Sequence, residues 1–256
     1  MIFSWFSNLG LLCILMFNSI DWGKTGHQVV GEVAQQYLTT KAQKEIEGLL
    51  NGASLVSVSN FGDEIKSDPK YKALNPWHYV NLPLDMPYTR AKKNPKGDVV
   101  TAIKKCIDKV KDPDEPRRKR AFYLKLLIHF IADLHQPMHV GRKEDRGGNN
   151  IPLQWFGKTT NLHRLWDSNL IDTYGMNYVE LTDDLQKLTP KMIDEIQSQS
   201  IEEWVKESQA LAKNIYKDTP PHSRLGQNYS TRYMSLLKFQ LLKGGLRLAA
   251  SLNSIF

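Results

Sequence analysis

Cysteine is scarce in this sequence, with only Cys13 and Cys106 among 256 residues. Cys13 falls in an N-terminal apolar segment that we expect to be removed, so the mature chain would keep one thiol and form no internal disulfide. If the protein is exported, its folded state must then be stabilised by packing and by bound metal.

A hydrophobic run long enough for a typical membrane-spanning helix is also missing. The longest apolar, uncharged run is residues 2–17, which is short for a membrane span and typical of the hydrophobic region of a signal peptide. We predict a signal peptide at residues 1–21 and a mature domain at residues 22–256, exported to the periplasm or the medium. The segment lacks Lys and Arg before the apolar run, so an uncleaved anchor is the alternative.

The charge is not balanced, because Lys and Arg exceed Asp and Glu and give a formal net charge of +7. A basic surface favours an anionic partner such as nucleic acid or a membrane surface. The charged stretch Lys111–Arg120 predicts only a solvated turn and the start of a helix.

Helical periodicity dominates the chain. The predicted helices are one ending near Leu38, then Lys41–Leu50, Leu55–Ser67, Asp98–Lys111, Lys119–Leu134, Leu162–Tyr174, Ser200–Tyr216, and Tyr229–Phe256 with a break or bend near Gly244-Gly245. Residues 75–87 predict a proline-rich loop. Ile151–Phe156 and Thr159–Thr160 flank Gly157-Lys158 and predict a hairpin. The fold class is therefore mainly α, a single multi-helix domain with a small β-hairpin.

The stretch Leu127–His139, LIHFIADLHQPMH, places three histidines and one aspartate in an apolar run. His129 and Asp133 are four residues apart and project from one helix face. Pro137 ends the helix, and His139 follows directly. A His and an Asp that point into a core need a partner, and a divalent metal provides one. The alternative is a capped core helix with incidental histidines.

His163 and Asp167 repeat the same spacing. Imidazole and carboxylate ligands suit zinc without any thiolate. The candidate ligands exceed what one tetrahedral ion can use, which indicates a multinuclear site. Paired metals of this kind serve the cleavage of phosphoric esters.

Together these motifs resemble the S1/P1 nuclease family of zinc-dependent single-strand nucleases, in order from Trp22 to Phe256. The matching segments are Trp22-Gly-x-x-Gly-His27, Asp63-x-x-Lys66, Trp77-His78-Tyr79-Val80, His129-Phe-x-x-Asp133-x-His-Gln-Pro-x-His139, Gly147-Gly148-Asn149, Asn161-Leu162-His163-x-x-Trp166-Asp167 and Gly244-Gly245-Leu246-Arg247-Leu248-Ala249.

The resemblance implies a phospholipase C/P1 nuclease-type fold that holds three Zn2+ ions. The implied ligands are Asp63, His78, His129 and Asp133 for one ion; His27, Asp133 and the amino group and carbonyl of Trp22 for a second; and His139, His163 and Asp167 for the third. Trp22 would become a ligand only after residues 1–21 are removed.

The resemblance also implies the chemistry. A hydroxide between two zinc ions would attack phosphorus and leave 5′-phosphorylated products, with Asp63, Lys66 and Asp133 as the catalytic residues. Lys66 stands where the family usually has an arginine, and it offers a point charge without the bidentate fork.

The resemblance implies that the substrates are single-stranded DNA and RNA and nucleotides. It also implies a monomer without a stable protein partner. Tyr79, Asn81, Asn149 and Asn150 are the implied substrate-binding residues. Asn81 replaces the usual aspartate, which leaves base preference open. His135 and Gln136 are predicted either to support the ligands or to cap the helix, and His222 to have no role. The absence of disulfides favours a bacterial-type member.

Two other functions remain open at this point. A zinc-dependent phospholipase C acting on lipid head groups would share the metal ligands, although Tyr79 and Asn81 suit a base better than a lipid. A non-catalytic protein that binds metal or nucleic acid is the third reading.

Overall fold

A computed structural model describes residues 23–256 of the chain. The predicted signal peptide and Trp22 lie outside the described residues. The α-helices are Lys24–Gln36 (α1), Thr40–Leu49 (α2), Leu55–Val58 (α3), Phe61–Glu64 (α4), Val99–Lys111 (α5), Arg117–Leu134 (α6), Leu162–Arg164 (α7), Leu170–Tyr174 (α8), Tyr178–Asp183 (α9), Pro190–Gln197 (α10), Ile201–Asp218 (α11) and Gln227–Ile255 (α12). The predicted mainly α fold is confirmed.

Tighter and wider helical turns complete the helical part of the structure. Pro69–His78 and Pro137–Val140 are 3-10 helices, and Leu165–Asn169 is a π-helical turn that joins α7 to α8. The predicted helix Leu162–Tyr174 is therefore continuous but widened in its middle. Such turns are frequent at functional sites, and each of these three ends at or contains a candidate metal ligand.

A small sheet has the strand order β2-β1-β3. Its strands are Pro152–Trp155 (β1), Lys158–Asn161 (β2) and Arg224–Leu225 (β3). The turn between β1 and β2 is Phe156-Gly157, where both residues have positive φ, as a two-residue hairpin requires. The prediction had placed the turn one residue later. β3 pairs parallel with β1 and was not predicted, because two residues carry no periodic signal.

Several predicted boundaries were wrong. Leu55–Ser67 is not one helix, because α3 ends at Val58, the hydroxyl of Ser59 donates to the carbonyl of Val56, and a separate helix, α4, covers Phe61–Glu64. Residues 75–78 belong to a 3-10 helix instead of the predicted loop. α6 begins at Arg117, directly after Pro116, and α9 and α10 were missed.

α6 is the central helix, and its C-terminal half from Leu126 to Leu134 is buried on all sides. It packs against α5, α12, α1 and α4. A helix surrounded in this way is apolar around its whole circumference, which matches its sequence. His129 and Asp133 thus lie at the centre of the core. No helix within residues 23–256 is long and apolar enough to cross a membrane.

α12 is continuous through Gly244-Gly245, so the predicted break there is wrong, while the alternative of a bend stays a prediction. The two glycines instead allow close packing. A Cβ on Gly245 would lie 2.4 Å from Cβ of Val33 in α1, and one on Gly244 would lie 3.2 Å from Cγ2 of Val30. The glycine pair therefore brings α12 against α1, which carries one candidate ligand, His27.

We expect Gly245→Ala to lower the free energy of unfolding by about 1–3 kcal/mol, because the new methyl group overlaps Val33. Gly48→Ala in α2 is the matched control, since nothing lies within 4 Å of its added Cβ. The control should gain about 0.5–1 kcal/mol from reduced backbone entropy of the unfolded chain. Urea unfolding followed by circular dichroism measures the free energy of unfolding of both variants. Equal changes in Gly245→Ala and Gly48→Ala would contradict close packing at Gly245.

Candidate metal centre

α6 supplies the centre of the site through His129 and Asp133, which are both fully buried. Nδ1 of His129 donates a hydrogen bond to the carbonyl of Ser59 at 2.9 Å. This bond fixes the ring and leaves Nε2 facing Oδ2 of Asp133 at 3.3 Å and Oδ1 of Asp63 at 3.6 Å. A backbone carbonyl that orients an imidazole in this way is typical of metal-binding histidines.

α1 adds His27, whose ring stacks on that of His129 with centroids 4.0 Å apart. Nε2 of His27 lies 3.5 Å from Oδ1 of Asp133 and 4.0 Å from Oδ2 of Asp63. Both ring nitrogens of His27 are buried without a hydrogen-bond partner in the described residues. Since a buried imidazole normally has a partner for each polar nitrogen, His27 points to a missing ligand.

α4 and the following 3-10 helix add Asp63 and His78. Nδ1 of His78 lies 3.0 Å from Oδ2 of Asp133 and 3.9 Å from Oδ1 of Asp63. Gly62 precedes Asp63, and a Cβ there would lie 2.3 Å from the ring of His129. α4 can therefore approach α6 closely enough to bring Asp63 to the site only with glycine at position 62.

A further group forms around Asp167 in the π-helical turn. Nε2 of His163 lies 3.1 Å from Oδ2 of Asp167, and Nε2 of His139 lies 3.4 Å from Oδ1. Nδ1 of His163 donates to the carbonyl of Gly147 at 2.7 Å, and Nδ1 of His139 donates to that of His78 at 2.8 Å. Both imidazoles are thus oriented by backbone carbonyls, as His129 is.

The site as a whole gathers every predicted ligand that lies in residues 23–256. Three sets of side chains hold their ligand atoms within 4.8 Å of one another: His27, His129 and Asp133; Asp63, His78 and His129; and His139, His163 and Asp167. The first two sets share His129. Trp22, the remaining predicted ligand, lies outside the described residues.

Burial and charge shift the pKa values of this cluster in opposite directions. Burial, and then the charge of Asp133, raise the pKa of Asp63 to about 9. Burial lowers the pKa of His78 to about 3, although Asp133 opposes the change. Burial would also raise the pKa of Asp133, but the neighbouring His129 and His139 hold it well below its usual range. When only protein groups are present, bringing these side chains together therefore has a large unfavourable electrostatic free energy.

Buried ligand atoms without hydrogen-bond partners indicate whether metal ions fit this site. Six buried ligand atoms have no hydrogen-bond partner within residues 23–256: Nδ1 and Nε2 of His27, Oδ1 of Asp63, Oδ1 of Asp133, Nε2 of His139 and Oδ2 of Asp167. Buried polar atoms are rarely left without a partner. Imidazole nitrogens and carboxylate oxygens are zinc ligands, so the donor set fits zinc ions.

A cleft of about 250 Å³ opens over His139 and His163. Lys66, Tyr79, Asn81 and Asn149 line it, together with Asn75, Met138, Arg146 and Gly147. Nζ of Lys66 lies 3.9 Å from Oδ1 of Asp63, and burial lowers the pKa of Lys66. The structure therefore brings three of the four predicted substrate-binding residues to one cleft.

Asn150 is not among the described residues that line this cleft, and its role in substrate binding stays a prediction. Gly147 and Gly148 both have positive φ and turn the chain so that Asn149 faces the cleft while Asn150 is exposed. The backbone N–H of Asn150 donates to the carbonyl of Asp145.

Sequence reasoning missed Arg146 and Asn75 as cleft residues. Arg146 also has a positive φ of 55°, which is uncommon for a residue other than glycine. An arginine directly before Gly147-Gly148 was the available signal, because glycine-rich loops often present neighbouring side chains to a ligand.

Of the two residues predicted to support the ligands, Gln136 contacts Asp167, whereas the ring nitrogens of His135 bond to other residues of the described chain. The Gln136 amide donates to Oδ1 of Asp167. Nδ1 of His135 donates to the carbonyl of Ile131 at 2.7 Å, and Nη1 of Arg247 donates to Nε2 of His135 at 2.8 Å. His222 is exposed at the sheet, where its backbone N–H donates to Pro152, and it does not line the cleft.

The chain is similar to known nucleases along most of its length. The model of the S1/P1 Nuclease family matches residues 22–256. Endonuclease 4 from Arabidopsis thaliana is 30% identical over 98% of this chain and 95% of its own length. Nuclease P1 from Penicillium citrinum is 28% identical over 91% of this chain and 97% of its own length. The resemblance seen in the sequence is confirmed, and the chain belongs to the S1/P1 nuclease family.

Proposed function

We propose that this protein is an exported endonuclease that uses three zinc ions to hydrolyse single-stranded DNA and RNA to 5′-phosphorylated products, and 3′-nucleotides to nucleosides and phosphate. Hydrolysis of phosphodiester bonds in nucleic acids follows from its family. The observation that carries the finer proposal is the set of buried, unpartnered imidazole and carboxylate atoms beside the cleft.

The three sets of ligand atoms would each contribute to one zinc site. His27, His129, Asp133, Asp63 and His78 would hold two ions between them, and His139, His163 and Asp167 would hold the third. The amino group and carbonyl of Trp22 would complete one site after removal of residues 1–21. When bound, zinc ions supply a nucleophile from water at neutral pH and neutralise phosphate charge.

The side chains of the cleft would position the substrate. Lys66 and Arg146 place two positive charges where a phosphate would lie. The ring of Tyr79 is 38% exposed at the cleft, so a base can stack on it. Asn81 would meet the edge of that base. A base stacked inside a duplex cannot enter such a cleft, which explains a preference for single strands.

Export to the periplasm or the medium and a monomeric state belong to the same proposal. The apolar, uncharged residues 2–17 support the first, and the net charge of +7 suits a nucleic-acid substrate.

The direct test is to incubate the purified mature protein, with and without zinc, with single-stranded DNA, single-stranded RNA and phosphatidylcholine. We expect both nucleic acids to be cleaved, phosphatidylcholine to remain intact, and a chelator to stop the reaction. Cleavage of phosphatidylcholine without cleavage of either strand would instead favour a phospholipase C.

We expect Asp133→Asn to reduce cleavage by at least about 10³-fold and to lower the bound zinc per chain, because Asp133 contacts His27, His78 and His129 at once. Asp194→Asn, an exposed change of the same type in α10, is the control and should leave both unchanged. Elemental analysis and a fluorescent single-strand assay measure the two quantities. Equal rates for Asp133→Asn and the parent would end the catalytic proposal.

The raised pKa of Asp63 gives a pH-dependent prediction for stability. A folded-state pKa near 9, against 3.8 when unfolded, means that stability falls as pH rises between these values. In chelator, Asp63→Asn should therefore raise the free energy of unfolding by roughly 1–4 kcal/mol at pH 7 and change it little at about pH 3.5. With zinc present the same variant should be destabilised at pH 7. Urea unfolding of the parent and Asp63→Asn, with zinc and with chelator, measures the change. If the variant changes the free energy of unfolding in the same direction in both buffers, Asp63 is not a metal ligand.

Lys66→Met should lower kcat by about 10²-fold with a smaller change in KM, because a buried cation near the reacting phosphate acts mainly on the transition state. Lys66→Arg is the matched variant, and it should keep most of the activity because the charge is retained. Steady-state kinetics on a dinucleotide measure both. If Lys66→Met instead raises KM and leaves kcat unchanged, Lys66 acts in substrate binding.

A further inference from the structure

A second groove, of about 600 Å³, lies where α4 and the 3-10 helix Pro69–His78 meet the first half of α6. We call it the basic groove. Its main lining residues are Phe61, Tyr71, Arg117, Arg118, Phe122 and Lys125. None of these residues lines the catalytic cleft, and the proposed nuclease reaction does not use any of them.

Three aromatic rings form the floor of the basic groove. The rings of Tyr71 and Phe122 stack with centroids 5.6 Å apart, and Phe61 meets Phe122 edge to face at the same distance. All three side chains are partly exposed. Partly exposed rings that are already held by one another can receive further flat groups at low entropic cost.

Positive charge surrounds these rings. Nζ of Lys125 lies 4.8 Å from the centre of the Phe61 ring, and Nζ of Lys70 lies 5.2 Å from that of Tyr71. Arg117 donates to Oδ1 of Asn51 at 3.0 Å, and Arg118 is exposed. No aspartate or glutamate is among the residues that line the groove.

The neighbouring cations behave differently. Lys109 and Lys119 both pair with Glu115, whose single negative charge offsets one of their two positive charges. Within residues 23–256, no carboxylate oxygen lies within 4.0 Å of a side-chain nitrogen of Arg118 or Lys125. The groove therefore keeps positive charge that is available to an anionic ligand.

The basic groove is connected to the catalytic site by short stretches of chain. α4 carries Phe61 in the groove and Asp63 in the metal centre. The 3-10 helix carries Tyr71 in the groove and Asn75 in the cleft. Residues of the groove and of the catalytic site are therefore only two to four positions apart in these two elements.

We propose that the basic groove binds a part of the single-stranded nucleic acid outside the catalytic cleft, with bases on the aromatic rings and phosphates beside Arg118 and Lys125. Exposed aromatic rings interleaved with cations are the usual platform for single strands. This proposal rests on the proposed nuclease function and adds to it a site that favours long strands over dinucleotides.

The test compares the parent with the double variant Arg118→Gln/Lys125→Gln. Binding of a 20-nucleotide single strand is measured by fluorescence anisotropy at several salt concentrations, and cleavage kinetics are measured on this strand and on a dinucleotide. We expect about tenfold weaker binding at low salt, and a slope of log K against log salt that is less steep by about 1.4, since each phosphate contact contributes about 0.7. KM for the long strand should rise, and dinucleotide cleavage should be unchanged.

Two matched variants separate the contributions. Lys187→Gln/Lys206→Gln removes two exposed charges elsewhere and should resemble the parent. Tyr71→Leu keeps all charges and should weaken binding severalfold with the salt slope unchanged, because stacking is not a counterion effect. Thermal unfolding of all variants identifies any that fail to fold.

Failure of this inference differs from failure of the proposed function. If the parent cleaves both substrates and Arg118→Gln/Lys125→Gln matches Lys187→Gln/Lys206→Gln, the basic groove does not bind the strand. If dinucleotide cleavage falls together with long-strand cleavage, the groove residues act through the catalytic site and the proposal is overturned. If the groove variants lose binding only to vesicles of anionic phospholipid, the surface belongs to a membrane contact. If the parent cleaves neither substrate, the nuclease function itself is wrong.

Discussion

The structure depends on the charge that is buried around the second half of α6. His129 and Asp133 are fully buried, and His27, His78 and Asp63 converge on them from other elements. Without a cation this arrangement is unfavourable, as the raised pKa of Asp63 and the lowered pKa of His78 both indicate. A fold that places such groups together must recover the cost, and divalent metal is the partner that satisfies imidazole and carboxylate at the same time. Three of the candidate ligands, His129, His139 and His163, are oriented by backbone carbonyls, so the fold itself sets their geometry.

A second buried polar network lies at the C-terminal end of α6, where His135 is the C-cap residue. Arg247 of α12 is fully buried and contacts His135 and, at 2.7 Å, Glu207. Lys243 contacts the same glutamate at 2.6 Å. Within residues 23–256 this network leaves only Nε of Arg247 without a hydrogen-bond partner, whereas the metal centre leaves six ligand atoms without one. The network of Arg247 thus supports the end of α6, and the metal centre keeps ligand atoms available.

Much of the candidate site was predictable because helical spacing is a local property. The i, i+4 pairs His129/Asp133 and His163/Asp167 follow from the sequence, and the structure places both pairs within 3.3 Å. Other features were not predictable. The split of residues 55–67 into two helices and the unbroken α12, in which Gly245 packs against Val33, are seen only in the structure. Arg146 and Asn75 reach the cleft, and Asn150 does not, because of turns that have no periodic signal.

The sequence by itself determined the mainly α fold, the family and the identity of the candidate ligands. Apolar periodicity and motif spacing are written in neighbouring residues, so they can be read without coordinates. Only the tertiary structure decided that His27 stacks on His129, that the ligands form three sets, and that Phe61, Tyr71 and Phe122 share a groove with Arg118 and Lys125. These residues are far apart in the chain, and their contacts exist only because packing of helices around α6 brings distant segments together.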